Sequence, residues 1–185
     1  MIDPFRFTMR DGRIADVRTA SVVDARRIIA LDRILAEDGR GMVLTPEQVR
    51  TVDEERSRID AIYRRMAAGD ATVFIVADVD GVEPMAGSAQ LDQLRPARCA
   101  HVGVLSIGVL PDLQRQGIGR ALMEALIQRA REHRMERLEL YVRADNPGAQ
   151  ALYRGVGFAE EARRARFVKL EDGSYVDDVI MSMSL

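Results

Sequence analysis

Residues that build disulfides and metal centres are scarce in this chain of 185 residues. It contains one cysteine, Cys99, and two histidines, His101 and His133. A single cysteine excludes an internal disulfide framework and every metal site built on several cysteines. A zinc site would need carboxylates to complete a ligand set around only two histidines. We therefore predict no metal.

Long apolar runs and a strong excess of one charge are absent as well. No apolar segment approaches the roughly 20 residues that cross a bilayer, and the first twenty residues mix Asp and Arg, unlike a signal peptide. A formal net charge of -2 argues against a partner that is bound by bulk electrostatics. The composition, 47% hydrophobic and 30% charged, suits one sizeable core. We expect a soluble, cytoplasmic protein that binds neither nucleic acid nor membrane.

The hydrophobic pattern predicts a single α/β domain with a mixed sheet. Residues 1–12 have a weak pattern and are expected to form an N-terminal extension, and residues 13–185 form the domain. The predicted order is β-α-α-β-β-β-α-β-α-β-β, without a linker or repeat. The elements are a strand at 14–19, a helix capped by Ser21 or Asp24, a helix starting at Thr45-Pro46, strands within 71–81, 83–94 and 101–110, a helix at 117–133, a strand within 136–145, a short helix after Asn146, and two strands around Asp172-Gly173.

The segment Ile107–Leu126, "IGVLPDLQRQGIGRALMEAL", starts a helix on two glycines, Gly117 and Gly119, although glycine is a poor helix former. Amide N–H groups at a helix start lack intrahelical partners and attract anions such as phosphate. Glycine would let an anion approach the backbone, and Arg115 and Arg120 would add charge from the flank. A tight turn that binds nothing explains the two glycines equally well.

Two common nucleotide-binding loops do not fit this segment. A dinucleotide-binding fingerprint requires a third glycine where this chain has Leu122. The phosphate loop of nucleotide hydrolases requires Gly-Lys-Ser/Thr, but the only lysine is Lys169. A dinucleotide-binding enzyme is therefore disfavoured.

Two motifs together resemble the GCN5-related N-acetyltransferase (GNAT) superfamily. "QRQGIG" after "IGVLP" is similar to its phosphate-binding motif, and "YVRADNPGAQALYRGVGF", Tyr141–Phe158, is similar to the second half of its core. The resemblance is close over residues 101–158. It implies a mixed central sheet that is splayed between the fourth and fifth predicted strands and flanked by helices, with acetyl-CoA as cosubstrate and no metal. The splay is expected to carry a β-bulge at Gly108.

The resemblance also implies the residues that hold coenzyme A. Pantetheine would pair with the strand at Ile107, Gly108 and Val109, Asn146 would hydrogen-bond the cofactor arm, and the Tyr153 hydroxyl would reach the thioester sulfur. The pyrophosphate would lie on the amides of Arg115, Gln116, Gly117, Ile118, Gly119 and Arg120.

Acyl transfer from a thioester to an amine needs few side chains, because holding the two reactants together supplies much of the rate. We expect the Val109 N–H to donate to the carbonyl oxygen as negative charge develops. Tyr153 would protonate or hydrogen-bond the departing sulfur. A tyrosine on an amphipathic helix is more often a simple core residue, and the catalytic role follows from the family pattern.

The base that accepts the proton of the acceptor amine is left open. An alkyl amine is mostly protonated at neutral pH, and the strand 101–110 carries no carboxylate. Glu139, His101 and a water chain are the candidates. In the branch of the family that acetylates ribosomal-protein N-termini, a glutamate stands where this chain has Tyr141. This departure argues against that branch's substrate and base.

The resemblance also implies that the acceptor contacts the two helices between the first and second predicted strands. Ala36–Glu47 combines Met42, Val43 and Leu44 with acidic residues, which suits an amine with a hydrophobic body; a solvated loop is the simpler interpretation. We predict an acetyl-CoA-dependent N-acyltransferase acting on the primary amine of a small molecule or amino acid. The alternatives are a peptide N-terminal or lysine acetyltransferase, or an idle coenzyme A-binding module. The resemblance also allows a homodimer.

Overall fold

The computed structural model describes all residues, 1–185. Its eight strands and four helices are β1 Phe5–Thr8, β2 Ile14–Thr19, α1 Ala25–Asp38, α2 Val52–Ala67, β3 Val73–Val79, β4 Gly87–Gln93, β5 Val102–Val109, α3 Ile118–Glu132, β6 Arg137–Arg143, α4 Pro147–Gly155, β7 Ala159–Lys169 and β8 Tyr175–Ser184. The predicted order of elements is confirmed, with one additional strand at the N-terminus. No helix combines the length and the apolar character that crossing a bilayer would require.

All eight strands form one sheet in the order β1-β2-β3-β4-β5-β6-β8-β7. Every neighbouring pair is antiparallel except β5 and β6, which are parallel. Parallel neighbours need a crossover, and α3 provides it. The predicted mixed sheet is confirmed.

The helices cover both faces of the sheet. A Cβ added to Gly87 in β4 would meet Ile118 and Leu122 of α3. A Cβ added to Gly108, one position along from the residue that pairs with Gly87, would overlap Leu35 of α1. Because neighbouring residues in a strand face opposite sides, α3 lies on one face, and α1 lies on the other.

Residues 1–12 contribute a strand that the sequence pattern does not predict. Four residues, Phe5–Thr8, pair with β2, a length too short for alternation to be visible. The turn after β1 reaches the start of α3: the Arg10 N–H donates to the Gln116 carbonyl at 3.3 Å, and the Asp11 N–H donates to the Gln116 side chain at 3.1 Å. The first hairpin therefore supports the glycine-containing loop.

The second helix begins at Val52 instead of Pro46, the predicted start. Thr45 and Pro46 start only a 3₁₀ turn, which ends where Val49 becomes extended. The α-helix begins after Thr51, whose hydroxyl accepts the Glu54 N–H at 3.3 Å while the Glu54 carboxylate accepts the Thr51 N–H at 2.7 Å. This reciprocal cap satisfies N–H groups at the helix start, so the second of two consecutive cap signals starts α2.

Candidate active site

A slot opens in the sheet between β5 and β6. The two strands pair from Val102↔Arg137 to Leu105↔Leu140, and the pairing then stops. β5 continues to Val109 and β6 to Arg143 without further partners across the gap. β4 accompanies β5 along its whole length, so only the side of β5 that faces β6 is free. The predicted splay is confirmed.

The register of β5 determines which backbone groups face the slot. The Leu110 N–H donates to Ala86 and the Leu94 N–H donates to Val102, both at 3.0 Å. In an antiparallel ladder bonded pairs alternate, so even-numbered β5 residues bond to β4 and odd-numbered residues point toward β6. The N–H groups of Ile107 and Val109 therefore face the slot without a protein acceptor.

Gly108 differs from the prediction in two respects. Its backbone groups point to β4, so it offers no hydrogen bond to a ligand in the slot. Its register with β4 is also continuous, so the expected β-bulge is wrong. The reason for glycine is packing, because any Cβ at this position would overlap the Leu35 side chain of α1.

The loop before α3 presents a series of unused N–H groups. Arg115 and Gly117 adopt positive φ angles of 63° and 103°, and the first N–H with an intrahelical acceptor is that of Ala121, bonded to the Gly117 carbonyl at 3.0 Å. No backbone N–H from Arg115 to Arg120 donates to a protein acceptor. These groups lie at the N-terminus of a 15-residue helix, an arrangement that favours an anion.

The two glycines of the loop have different structural reasons. Gly117 needs the left-handed backbone region that other residues avoid. A Cβ at Gly119 would lie 3.0 Å from Leu152 of α4, near Val109 and Ile107. Gly119 therefore allows α3 to pack closely on α4, and the expectation that it leaves room for a ligand stays a prediction.

The arginines beside the loop differ in the contacts that they make. The Arg120 guanidinium donates to the Glu124 carboxylate at 3.1 Å and to the Gly155 carbonyl at 3.0 Å, so it is already engaged. Arg115 is exposed and has no ion pair. Arg10, which follows β1, is likewise exposed beside the loop. Arg115 and Arg10 are the guanidinium groups that remain available to an anion.

Tyr153 has a buried ring and an unused hydroxyl. Its side chain is 7% exposed and packs edge-to-face on Phe158, with ring centroids 6.4 Å apart. The hydroxyl makes no hydrogen bond to another protein group, although buried tyrosine hydroxyls usually find a partner. Burial raises the pKa of Tyr153 to about 12. The hydroxyl therefore stays protonated and is suited to donating a hydrogen bond.

Asn146 has partners within the protein. Its Oδ1 accepts the Ala149 N–H at 3.1 Å and caps α4, and its Nδ2 donates to the Arg40 carbonyl at 3.3 Å. These bonds join the α1–α2 connection to the start of α4 and explain the asparagine without a ligand. The predicted bond from Asn146 to the cofactor arm stays a prediction.

Neither candidate base from the sequence lies in the slot. Glu139 is opposite Val104, where β5 and β6 are still paired, and its carboxylate accepts from Arg137 at 2.7 Å. His101 precedes β5 at the far end of the strand, roughly 26 Å from Val109 at about 3.3 Å per residue.

One carboxylate that the sequence analysis did not single out lies on the same face of the sheet as α1. Asp32 is in α1, one helical turn before Leu35, and its side chain is 14% exposed. The sequence does contain a sign that Asp32 is special. It is an acidic residue on the apolar stripe of the helix, among Ile28, Ile29, Leu31 and Leu35.

The α1–α2 connection lies beside the open end of the slot. The Gly39 carbonyl accepts a hydrogen bond from Arg143 at the end of β6, and the Arg40 carbonyl accepts from Asn146. Val43 in this connection is 62% exposed, and Tyr141 of β6 is 46% exposed. Apolar and aromatic surface is therefore available on this side of the slot.

Comparisons with known proteins agree with this geometry. A model of the acetyltransferase (GNAT) family matches residues 37–158. The [ribosomal protein bS18]-alanine N-acetyltransferase of Escherichia coli (strain K12) is 42% identical over 82 residues, which are 44% of this chain and 55% of that protein. The chain thus spans about half the length of the curated relatives it matches.

Solved structures share the fold. A GNAT-family acetyltransferase from Streptococcus pneumoniae superposes with a TM-score of 0.82 at 24% identity, covering 92% of this chain and 99% of that one. A phosphinothricin acetyltransferase from Sinorhizobium meliloti in complex with acetyl-CoA gives a TM-score of 0.79 at 21% identity, covering 97% and 89%. The splayed sheet, the unused loop amides and the match over residues 37–158 lead to one conclusion: the chain belongs to the GNAT acetyltransferase family.

Proposed function

We propose that the protein is an acetyl-CoA-dependent N-acetyltransferase that moves the acetyl group directly to the primary amine of a small molecule or amino acid. The observation that carries this proposal is the row of unused N–H groups from Arg115 to Arg120 next to the slot beside Ile107 and Val109. A diphosphate on the loop would place a thioester arm in the slot.

The cofactor is held mainly by backbone. The backbone N–H groups from Arg115 to Arg120 donate to the diphosphate oxygens, with the free guanidinium groups of Arg115 and Arg10 beside them. The pantetheine arm pairs with Ile107 and Val109 as an added strand, a mode in which main-chain hydrogen bonds supply affinity. This arrangement is supported by the acetyl-CoA complex of the Sinorhizobium meliloti neighbour, which shares the fold.

The chemistry follows from the groups around the slot. A neutral amine attacks the thioester carbonyl carbon, the C–N bond forms, and the C–S bond breaks. The Val109 N–H donates to the carbonyl oxygen while it carries negative charge. α4 lines the slot through Leu152, which lies near Val109, and the neutral Tyr153 hydroxyl of the same helix donates to the leaving sulfur.

A small amine with an apolar body is the favoured acceptor. Tyr141 of β6 and Val43 of the α1–α2 connection expose aromatic and apolar surface, and burying such surface contributes about 25 cal/mol per Å². The Arg164 guanidinium lies 5.0 Å from the Tyr141 ring centre and donates to the Asp178 carboxylate at 3.0 Å, so its charge is already paired within the protein.

A peptide N-terminus is the second candidate. It is favoured by the 42% identity to the bS18-alanine N-acetyltransferase over 82 residues. Tyr141, at a position where that branch carries a glutamate, favours the small-molecule acceptor instead.

Thiol release from acetyl-CoA tests the proposal. The purified protein is incubated with amino acids, aliphatic and aromatic amines, a peptide that starts with alanine and a peptide with an internal lysine, and products are identified by mass. Faster thiol release with an amino acid or small amine, together with an acetylated product, supports the proposal. Preference for the alanine peptide supports the second candidate. Tight acetyl-CoA binding without turnover on any acceptor would contradict both and identify an idle binding module.

A further inference from the structure

Helices α1 and α2 form a roof over β4 and β5 next to the slot. Leu35 of α1 packs directly on Gly108, within the unpaired part of β5. The Arg58 guanidinium of α2 lies 4.1 Å from the Phe74 ring centre and donates to Gln90 of β4. Gln90 is the partner of Ser106, the first β5 residue beyond the last pair with β6. The roof therefore lies beside the point where the slot begins.

Asp32 is on the inner side of this roof, one turn before Leu35. Its carboxylate accepts no hydrogen bond, and the cation in contact with it is Arg50, with 3.8 Å between Nη2 and Oδ2. Burial first, and then the negative charge of Glu55, raise the pKa of Asp32 to about 6. A buried carboxylate without close partners is costly, and such groups cluster at functional sites.

The charged groups around Asp32 are committed to another carboxylate. Glu55 of α2 has a fully buried side chain, and it accepts from Arg50 Nε at 2.9 Å and from Arg58 Nε at 2.8 Å. Burial opposes ionisation of Glu55, but the bonds and charges of Arg58 and Arg50 lower its pKa on balance. On β4, Gln90 donates to Asp92, which also pairs with Arg65. Asp32 is the member of this group that lacks a hydrogen-bonded cation.

We propose that Asp32 is the base that accepts the proton of the acceptor's ammonium group, an inference that rests on the acetyl transfer proposed above. The N–H⁺ bond of the ammonium breaks, and its proton passes to the Asp32 carboxylate. The freed lone pair of the amine attacks the thioester carbon. As the C–S bond breaks, the Tyr153 hydroxyl donates a hydrogen bond to the leaving sulfur. The second proton of the nitrogen leaves as the amide forms and ends on the sulfur as the thiol, and Asp32 returns the first proton to solvent.

The position and the acidity of Asp32 both suit this role. Ser106 below the roof is exposed, so an acceptor can enter between the roof and the strand. The best general base has a pKa near the working pH, and an ordinary aspartate, near about 3.9, is a poor match. Glu139 and His101 lie outside the slot, which leaves Asp32 as the carboxylate on this face with the required character.

The variant Asp32→Asn tests the proposal, with Asp60→Asn as the matched control. Asp60 is exposed on α2 and has no ion pair. The wild-type kcat/KM is expected to fall as the pH drops through about 6. Asp32→Asn is expected to lose about 100-fold in kcat at pH 7.5, the lower end of the effect of general bases. Its kcat/KM should no longer fall as the pH drops through about 6. Its affinity for acetyl-CoA and the activity of Asp60→Asn stay unchanged.

The outcomes separate this inference from the proposed function. If the wild type is active and Asp32→Asn keeps both the wild-type kcat and the fall of kcat/KM near pH 6, Asp32 is not the base. The proposed acetyltransferase activity would be unaffected by that result. A wild type that releases no thiol with any acceptor would overturn the proposed function itself.

A measurement on the unaltered protein covers the case in which Asp32→Asn does not fold. Carboxyl-carbon NMR of protein labelled at aspartate is expected to show one group that titrates near pH 6 and shifts when the acceptor found by thiol release is added. If every aspartate titrates below about pH 5, or the group near pH 6 ignores the acceptor, the assignment is wrong.

Discussion

Tyr153 is unusual among the buried residues because its ring is packed and its hydroxyl is not satisfied. The hydroxyl has no protein partner, and nothing in the fold requires it, since phenylalanine would fill the same space beside Phe158. A hydroxyl retained at such a position is explained by a partner that arrives with the substrate. The proposed partner is the thioester sulfur.

Replacing Tyr153 by phenylalanine therefore separates catalysis from binding. We expect kcat to fall about 10- to 100-fold because the leaving thiolate loses its donor, whereas the dissociation constant of acetyl-CoA stays within about twofold. Steady-state thiol release and calorimetric titration measure the two quantities. Tyr175→Phe is the control, because Tyr175 is exposed on β8. Equal kcat in wild type and Tyr153→Phe would remove Tyr153 from the mechanism.

Among the elements, the loop between β5 and α3 supplies the unused backbone N–H groups of the candidate site. Gly117 holds the left-handed turn that leaves the amides of residues 115–120 without protein acceptors. A side chain at this φ of 103° is strained, at a cost of about 1–3 kcal/mol. Relief of that strain would change the directions in which these backbone N–H groups point.

Gly117→Ala is expected to weaken acetyl-CoA binding at least about 10-fold, because one or two misdirected N–H donors are worth on the order of 1.4 kcal/mol or more. Gly173 in the β7–β8 turn has a similar φ of 84° with open space around it, so Gly173→Ala imposes the same strain away from the site. Calorimetry should find normal affinity in Gly173→Ala. Normal affinity in Gly117→Ala as well would show that the loop does not hold the diphosphate.

Elements with strong local sequence signals could be predicted from the sequence. Elements whose signals are weak or occur twice in succession could not. The strands β2 to β5, with the helix α3, carry clear periodicity and turn residues, and the structure has them where expected. β1 is too short to show alternation, and Thr45 and Thr51 offer two successive caps, of which only the tertiary structure selects the second.

Some parts of the candidate site could likewise be predicted from the sequence, and others could not. The loop, the slot and the buried position of Tyr153 follow from one contiguous segment, residues 101–158, and were predictable. The environment of Asp32 depends on Glu55 and Arg50, which come from a different helix and its preceding segment. Packing between distant segments creates that environment, so local pattern could not reveal it.

At the scale of the whole molecule, the first and second halves of the chain meet at the loop between β5 and α3. Phe7 of β1 is partly buried against the core, and its Cε2 atom lies 3.4 Å from the position of a Cβ on Gly117. The backbone bonds from Arg10 and Asp11 to Gln116 lie beside this contact. The N-terminal hairpin thus fixes a loop more than one hundred residues away.

Phe7→Ala is expected to loosen that support. The free energy of unfolding should fall by about 1–2 kcal/mol, as is usual for loss of a partly buried contact, and acetyl-CoA affinity should fall several-fold. Phe5→Ala, on the same strand but exposed, should change neither by much. Urea denaturation and calorimetry supply the two numbers. Unchanged affinity in a destabilised Phe7→Ala protein would mean that the loop holds its shape without the hairpin.

The pH dependence of stability connects the carboxylate proposed as base to the folding of the entire domain. Asp32 has a pKa of about 6 in the folded protein, above its ordinary value of 3.8. The folded state therefore holds this proton more tightly than the unfolded state, and the stabilisation is complete below about pH 4 and is lost as the pH rises through about 6. Above that pH, folding carries the cost of a buried charge that Arg50 offsets only in part.

Asp32→Asn removes that cost. At pH 7.5 the variant is expected to be more stable than wild type, by on the order of 2 kcal/mol after allowing for partial solvent access, and the difference should vanish near pH 4. Carboxylates with lowered pKa, such as Asp24 and Asp70, destabilise both proteins in acid and cancel in the comparison. Urea denaturation at the two pH values measures the difference. A protein that gains stability while it loses turnover shows that the buried charge is kept for chemistry, whereas a variant less stable at pH 7.5 would show that Asp32 serves the fold.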